Sequence, residues 1–326
     1  MIPKILVTGR DGQLGFELRR TLAPLGQVVA VDIDNINFCD LDAVRRYVRE
    51  LRPDVIANAA AYTAVDRAET ERETAHIVNA EIPGVLAEEL HACGGKLIIH
   101  YSTDYVFNGR TTIPYSELDP PDPVNAYGES KLAGEQAVLR AGAPHIIMRT
   151  EWLYATRGSN FLLTILRLAR EGKPLRVISD QLGAPTWARM LAEATATVAA
   201  QLLQAPPDAL GRSGVYHVTA AGQTSWHGFA QAILEEALQR LQWLKLPHQW
   251  CVNALRSLAP IRTSEYPTPA RRPAYSVLCN DKLDRVFGVR LPDWRAQLQM
   301  ALEDPVLIQS IANSLRSQPD RGNTST

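Results

Sequence analysis

The sequence predicts an α/β fold: a parallel sheet wound on both faces by helices, with a smaller α+β unit attached. Three observations predict it. Short apolar runs, Ile5-Leu6-Val7, Val28 to Val31, Val55 to Asn58, Leu97 to Tyr101 and His145 to Met148, alternate with helix-patterned segments through the first half. Strands separated by helices form a parallel sheet with right-handed crossovers. The first run leads directly into three glycines and a helical pattern. Small or polar residues suited to a ligand recur just after the strands, at the carboxyl ends where open parallel sheets bind ligands.

Taken in order, Ile5-Leu6-Val7 precedes Thr8-Gly9-Arg10-Asp11-Gly12-Gln13-Leu14-Gly15, spaced G-x-x-G-x-x-G, and Phe16 to Leu25 is then helical. Bare backbone, free N–H groups and a helix dipole make this a pyrophosphate site of a Rossmann-type doubly wound sheet. The plain alternative, a surface turn, is disfavoured by the strand-to-helix order. The second strand ends in Asp32, an acid that accepts ribose hydroxyls and suits NAD. Arg10 instead suits the extra phosphate of NADP. Both cofactors, NADPH and NADH, are therefore expected to bind. Asp40 or Asp42 is a candidate cap for a helix running to about Leu51. Pro53 to Ala61 reads as a strand entering a loop of small residues, Ala60-Ala61, where a flat ligand can lie against backbone or a helix can pack closely. One long helical segment is expected from about Val65 to Cys93, then a strand ending in Ser102-Thr103-Asp104. Asn108 to Asn125, rich in Pro, Asp and Gly, reads as a loop over the site, with Asn125 capping the next helix.

That helix carries Tyr127-Gly128-Glu129-Ser130-Lys131. Positions i and i+4 share a face, so Tyr127 and Lys131 point the same way. A nearby ammonium lowers a tyrosine's pKa from its ordinary value of about 10, preparing it to exchange a proton with a carbonyl oxygen. The spacing also occurs in ordinary amphipathic helices, so its context decides.

Bulk properties bound the answer. A length of 326 residues, 46% hydrophobic and 21% charged, suits one large or two fused globular domains. A net charge of -1 gives no reason to expect nucleic acid or membrane as a partner. Cys39, Cys93, Cys251 and Cys279 have no C-x-x-C spacing and read as reduced thiols. Met1-Ile2-Pro3-Lys4 runs straight into a strand, without a signal-peptide pattern, and no apolar run has membrane-spanning length. The expected location is cytoplasmic. Expected boundaries are 1–152 for an NAD(P)-binding domain, to which strand elements after residue 152 can return, 153–316 for a mainly substrate-binding α+β domain, and 317–326 for a disordered polar tail. Helices are expected around Asn160 to Glu171, Thr186 to Gln204 and Ser225 to Leu241, with short strands near Leu175 to Ile178 and Val215 to Val218. His217 and His227 lack spaced partners and read as core or surface residues.

These motifs, with Asn58-Ala59-Ala60-Ala61-Tyr62-Thr63-Ala64-Val65-Asp66, Tyr101-Ser102-Thr103-Asp104-Tyr105-Val106-Phe107, Arg149-Thr150-Glu151-Trp152, Gln181-Leu182-Gly183-Ala184-Pro185-Thr186 and Tyr266-Pro267-Thr268-Pro269-Ala270-Arg271-Arg272-Pro273, resemble the extended short-chain dehydrogenase/reductase family over nearly the whole chain. The resemblance implies a reductase of a dTDP-linked 4-keto sugar. It implies Tyr127 as proton donor, Lys131 as its partner and holder of the nicotinamide ribose, and Thr103 as the hydroxyl that polarises the carbonyl. It implies cofactor contacts at Gly9, Arg10, Gly12-Gln13-Leu14, Gly15, Asp32, Asp40-Leu41, Ala60, Ala61-Tyr62-Thr63, Tyr127 and Lys131. Substrate contacts are implied at Thr103, Asp104, Trp152 and Asn160. Arg271 and Arg272 are expected to hold the pyrophosphate, without a choice between them, the alternative being a solvated basic surface. Tyr105 stands where related dehydratases carry a second carboxylate, which argues against dehydration; an epimerase, or a non-catalytic regulatory subunit of the same fold, are the competing readings. Glu151 replaces a frequent Ser and is expected to point away from the cleft. The alternative is that it faces the cleft and disfavours an anionic ligand. Some members carry Mg2+ at a subunit contact, but Arg189 stands where an acid is expected, so no metal site is assigned. A homodimer is the implied assembly.

Overall fold

The structure, a computed structural model, describes residues 2–204 and 211–316, so the polar tail at 317–326 lies outside the described residues. Parallel strands β1 (Lys4–Thr8), β2 (Gln27–Val31), β3 (Val55–Asn58), β4 (Leu97–Thr103), β5 (His145–Thr150) and β6 (Gly214–His217) form one sheet in the order β6-β5-β4-β3-β1-β2. All seven residues of the central β4 are buried, as an apolar run covered on both faces should be. β2, read from sequence as buried, is instead half-exposed along most of its length, because it is an edge with one neighbour. β6 pairs with β5, so a strand from the second half of the chain completes the other edge.

Alternation along the strands decides which helices lie where. Ile5, Val7, Ile99 and Met148 face α1 (Gln13–Thr21) through Leu14 and Leu18, and Leu191 and Val198 of the later helix Ala188–Gln204 share that cluster. Leu6, Ile56, Ile98 and Ile147 face the opposite way, onto α2 (Leu41–Leu51), α3 (Ile82–Ala92) and α4 (Ala126–Arg140). Winding therefore reverses between β1 and β3, opening a crevice at their carboxyl ends.

The long helix expected at 65–93 is broken into Val65–Ala68, Arg72–His76, a π-helical turn Ile77–Glu81 and α3. Pro83 cannot donate the N–H that a regular helix would return to the Asn79 carbonyl, and a wider turn accommodates the loss. Gly134 of α4 approaches that carbonyl so closely that a Cβ there would collide with it. Arg149 of β5 and Glu135 of α4 form a buried ion pair at 2.7 Å, fixing this helix against the sheet. Breaking one partner of such a pair costs about 3–5 kcal/mol.

Beyond β5 the chain builds a second apolar cluster from α5 (Phe161–Arg170), the helix Trp226–Trp243, and helices Gln249–Ser257 and Trp294–Leu302. Short strand pairs border it: Leu153–Tyr154 with Thr186–Trp187, Leu182–Gly183 with Thr224–Ser225, and Arg176–Ile178 with Ala259–Ile261. No helix among the described residues is long and apolar enough to cross a membrane. All four cysteines are free thiols.

Candidate active site

A cleft of about 850 Å³ runs from the glycine loop to the end of β4 and is closed by residues 150–153, 158–159 and Trp226. Its nucleotide end is made of backbone. Gly9 has φ +71°, and a Cβ there would lie 2.7 Å from the Ala60 nitrogen; a Cβ on Gly15 would run into the Gly9 carbonyl. α1 begins without a side-chain cap, leaving first-turn N–H groups for an anion. Thr8 Oγ1 donates to Asn58 Oδ1 at 2.6 Å and accepts from Ala60 N at 3.2 Å, locking the two loops that form the cradle. These residues fit a dinucleotide.

At the adenosine end Asp32 accepts from the backbone N–H of Asp11 at 2.9 Å and of Ile33 at 2.8 Å. Arg10 bridges Asp11, Asp34 and Asn35 at 2.6, 2.9 and 2.8 Å, and the two acids hold its pKa above the usual range. An extra phosphate would thus have to compete with carboxylates already in place. Of the expected cofactor residues, Gly9, Gly12, Gln13, Leu14, Asp32, Ala60, Ala61, Tyr62 and Thr63 line the cleft. Arg10, Gly15, Asp40 and Leu41 do not: Arg10 is held by its acids beside the cleft, Gly15 packs on the Gly9 carbonyl, Asp40 caps α2 by accepting from Ala43 N at 2.9 Å, and Phe38 and Cys39 take the place at the wall.

Thr103, Tyr127 and Lys131 come together at the other end. Asn125 caps α4 by accepting from Gly128 N at 2.8 Å, which sets the phase of that helix. Thr103 Oγ1 donates to Asp104 Oδ1 at 2.9 Å and also interacts with the Tyr127 phenol. The tyrosine departs from the sequence expectation. Burial and then the Asp104 charge push its pKa above the ordinary value, with only the Thr103 contact opposing them. Lys131 does not lower it here, because its ammonium donates to the Tyr101 carbonyl at 2.6 Å. Burial lowers Lys131 to about 8. Tyr127 therefore holds its proton firmly, the state a donor to an alkoxide needs.

Trp152 adopts φ +47°, a strained conformation for a large side chain. Its indole stacks on Trp226 with ring centroids 3.6 Å apart, and both line the cleft. Glu151 also faces the cleft and is 2% exposed, contrary to the outward placement expected. Its carboxyl accepts from Ser276 Oγ at 3.1 Å and Leu278 N at 3.4 Å, donors that no local pattern around Thr150-Glu151 announces.

The remaining substrate candidates are engaged elsewhere. Asn160 caps α5 and donates to Gln13 Oε1 at 2.9 Å, tying the second cluster to the glycine loop. Arg272 pairs with Asp66 at 3.0 Å, and neither it nor Arg271 lines the cleft. Two contributors were missed by sequence. Trp226 begins a helix distant in the chain, and Asn79 of the π turn clasps Tyr62 through its N–H and carbonyl while donating to Ser130 Oγ at 3.0 Å. Arg189 spans Glu17 at 3.2 Å and Asp304 at 3.3 Å, so a fixed guanidinium stands among the acids and the donor set does not fit a metal.

A doubly wound sheet with its glycine cradle at the switch point defines a nicotinamide-dependent oxidoreductase of the extended short-chain dehydrogenase/reductase class. The RmlD substrate binding domain family matches residues 3–306, and the chain belongs to that family. A dTDP-4-dehydrorhamnose reductase of Burkholderia thailandensis is 50% identical over 301 residues, covering 92% of this chain and 98% of the relative. The crystal structure of a dTDP-4-dehydrorhamnose reductase from Clostridium acetobutylicum superposes with TM-score 0.79 at 35% identity, covering 94% of this chain and 99% of the other. That of the Bacillus anthracis dTDP-4-dehydrorhamnose reductase in complex with NADP gives TM-score 0.79 at 32% identity, over 92% and 99%.

Proposed function

We propose that this protein reduces dTDP-4-dehydrorhamnose to dTDP-L-rhamnose with NADPH, Tyr127 giving the proton to the new hydroxyl. The observation that carries the reading is one cleft with a dinucleotide cradle at one end and Thr103, Tyr127 and Lys131 at the other, in a chain half-identical to a reductase of that name. The bound reduced nicotinamide supplies hydride. The glycine loop and the start of α1 hold the pyrophosphate, with Asp32 and Arg10 at the adenosine ribose. Lys131 turns from the Tyr101 carbonyl to the nicotinamide ribose, Thr103 orients the substrate carbonyl, and Tyr127 protonates its oxygen. Trp152 and Trp226 exclude water from the sugar; positioning in such a dry cleft contributes much of the rate. The part from 153 to 316 holds most of the substrate, and the part from 1 to 152 the cofactor.

The proposal extends to a cytoplasmic homodimer, checked by light scattering of the purified protein and by cell fractionation. The chemistry is tested by supplying the dTDP-linked 4-keto-6-deoxy-L-sugar with NADPH and NADH in parallel. Rapid oxidation with dTDP-L-rhamnose as product is expected. Cofactor binding without oxidation would defeat the reading and favour the regulatory-subunit alternative.

A further inference from the structure

The floor of the cleft holds two carboxyl groups that the reaction above leaves without a task. Asp104 and Glu151 are each 2% exposed and act on one another electrostatically. Ser276 lies between them. Its single hydroxyl proton can serve one acceptor at a time; the geometry gives it to Glu151 Oε2 at 3.1 Å, with the Leu182 carbonyl as a longer acceptor at 3.4 Å, and Asp104 Oδ2 is left buried without a partner. Gly183 makes room for the arrangement, since a Cβ there would stand 2.7 Å from Glu151 Oε2. Thr103 Oγ1 donates to Asp104 at 2.9 Å, and the same hydroxyl acts on the Tyr127 phenol, opposing the rise of its pKa.

We propose that Glu151 and Asp104 share one proton, and that Asp104 passes it through Thr103 to Tyr127 once that tyrosine has given its own proton to the substrate oxygen. The inference rests on the reductase reading for the donor role of Tyr127.

Two neighbouring buried carboxylates cannot both ionise cheaply, so the pair retains a proton at neutral pH. The groups facing Glu151 are Asp104, the Ser276 hydroxyl, the N–H groups of Ala184 and Leu278, and the Tyr275 phenol. Those facing Asp104 are Thr103, Ser276, the Tyr105 N–H and the phenols of Tyr105 and Tyr127. No cation is among them to hold both carboxyls ionised. Burial pushes Asp104 up to about 6, and burial with the Asp104 charge takes Glu151 well above the carboxylate range. A Tyr127 phenolate, whose conjugate acid lies above the ordinary tyrosine value, is a stronger base than Asp104, so the transfer runs downhill. The steps balance: the Tyr127 O–H bond breaks as the product O–H forms. Thr103 then gives its proton to the phenolate and takes one from Asp104. Water in the open cleft reprotonates the carboxyl pair after product leaves. Glu151 acts only through Asp104, and is a positioning residue.

The test is kcat against pH for the full chain with NADPH and the dTDP-linked keto sugar, comparing wild type, Glu151→Gln and Asp104→Asn. In wild type kcat should fall as rising pH removes the shared proton. Glu151→Gln keeps the shape but removes the carboxyl that retains the shared proton, leaving Asp104, with its pKa of about 6, largely ionised at neutral pH. Its kcat should drop about tenfold, below what a directly acting proton-transfer group contributes, with KM little changed and the alkaline fall reduced to the part that loss of the Lys131 ammonium causes. Added imidazole, an external proton donor, should restore it. Asp104→Asn should show the same loss and rescue. A Glu151→Gln profile like that of wild type, or a loss imidazole does not restore, overturns the relay. Infrared spectroscopy of the unliganded protein supplies a readout independent of turnover: a protonated-carboxyl band at neutral pH in wild type, absent in Glu151→Gln. Its absence from wild type overturns the shared proton. A wild type that shows the band but does not turn over the sugar overturns the functional reading, and the relay with it, while the shared proton stands.

Discussion

The two ends of the cleft are built from different materials. At the nucleotide end the contacts come from backbone and from exposed charges: glycines without side chains, a helix start without a cap, and Arg10 tied to Asp34. At the reaction end they come from buried, titratable side chains whose proton affinities have moved: Tyr127, Lys131, Asp104 and Glu151. A cofactor that must bind and leave each cycle is served by a solvated, preformed cradle. Proton transfer needs groups removed from water, where small changes of neighbour alter their chemistry.

That contrast can be broken from the reaction end first. Tyr127→Phe should lower kcat by about 10²–10⁴-fold, while calorimetric titration finds NADPH affinity unchanged; retained turnover would remove Tyr127 as the acid. Lys131→Met touches both ends, and losing its charge-assisted hydrogen bond should weaken NADPH binding by about 1.5–3 kcal/mol and reduce kcat as well. The same lysine gives a pH dependence. Its ammonium persists below its lowered pKa of about 8 and is lost above it, so wild-type NADPH affinity should fall as pH rises past about 8 and be flat in Lys131→Met.

Smaller effects sharpen the nucleotide end. Gly15→Ala pushes a methyl into the Gly9 carbonyl and should cost about 1–3 kcal/mol of cofactor affinity or stability, measured by titration and thermal melting. Trp226→Ala removes a stacked ring worth about 0.5–1.5 kcal/mol and should raise KM for the sugar nucleotide more than it lowers kcat. Arg10→Ala should produce the least change: NADPH affinity falls a few-fold and NADH affinity holds. Equal loss for both cofactors would show that Arg10 supports the loop without reading the extra phosphate.

Much of the fold and of the nucleotide end was legible because the signals are local. A strand, three glycines and a helix are contiguous, and the Asn125 cap fixes where Tyr127 and Lys131 point. Reading failed where a residue's neighbours are remote. Arg272, in a basic loop, is taken by Asp66, 206 residues away, whereas the cap expected of Asp40 is a local contact and is present. The long helix at 65–93 hid a π turn because one proline weighs little in a periodic pattern, yet Asn79 in that turn clasps the Tyr62 loop.

The sequence by itself determined the doubly wound sheet, the cradle, the place of Thr103 at a strand's carboxyl end and the shared face of Tyr127 and Lys131, since strand alternation, glycine geometry and i,i+4 spacing act over a few residues. The tertiary structure alone decided the proton affinities of those groups and the inward turn of Glu151. Desolvation and charge pairing depend on what is packed within a few ångströms, and Ser276 and Gly183, which receive that carboxyl, lie 125 and 32 residues along the chain from it.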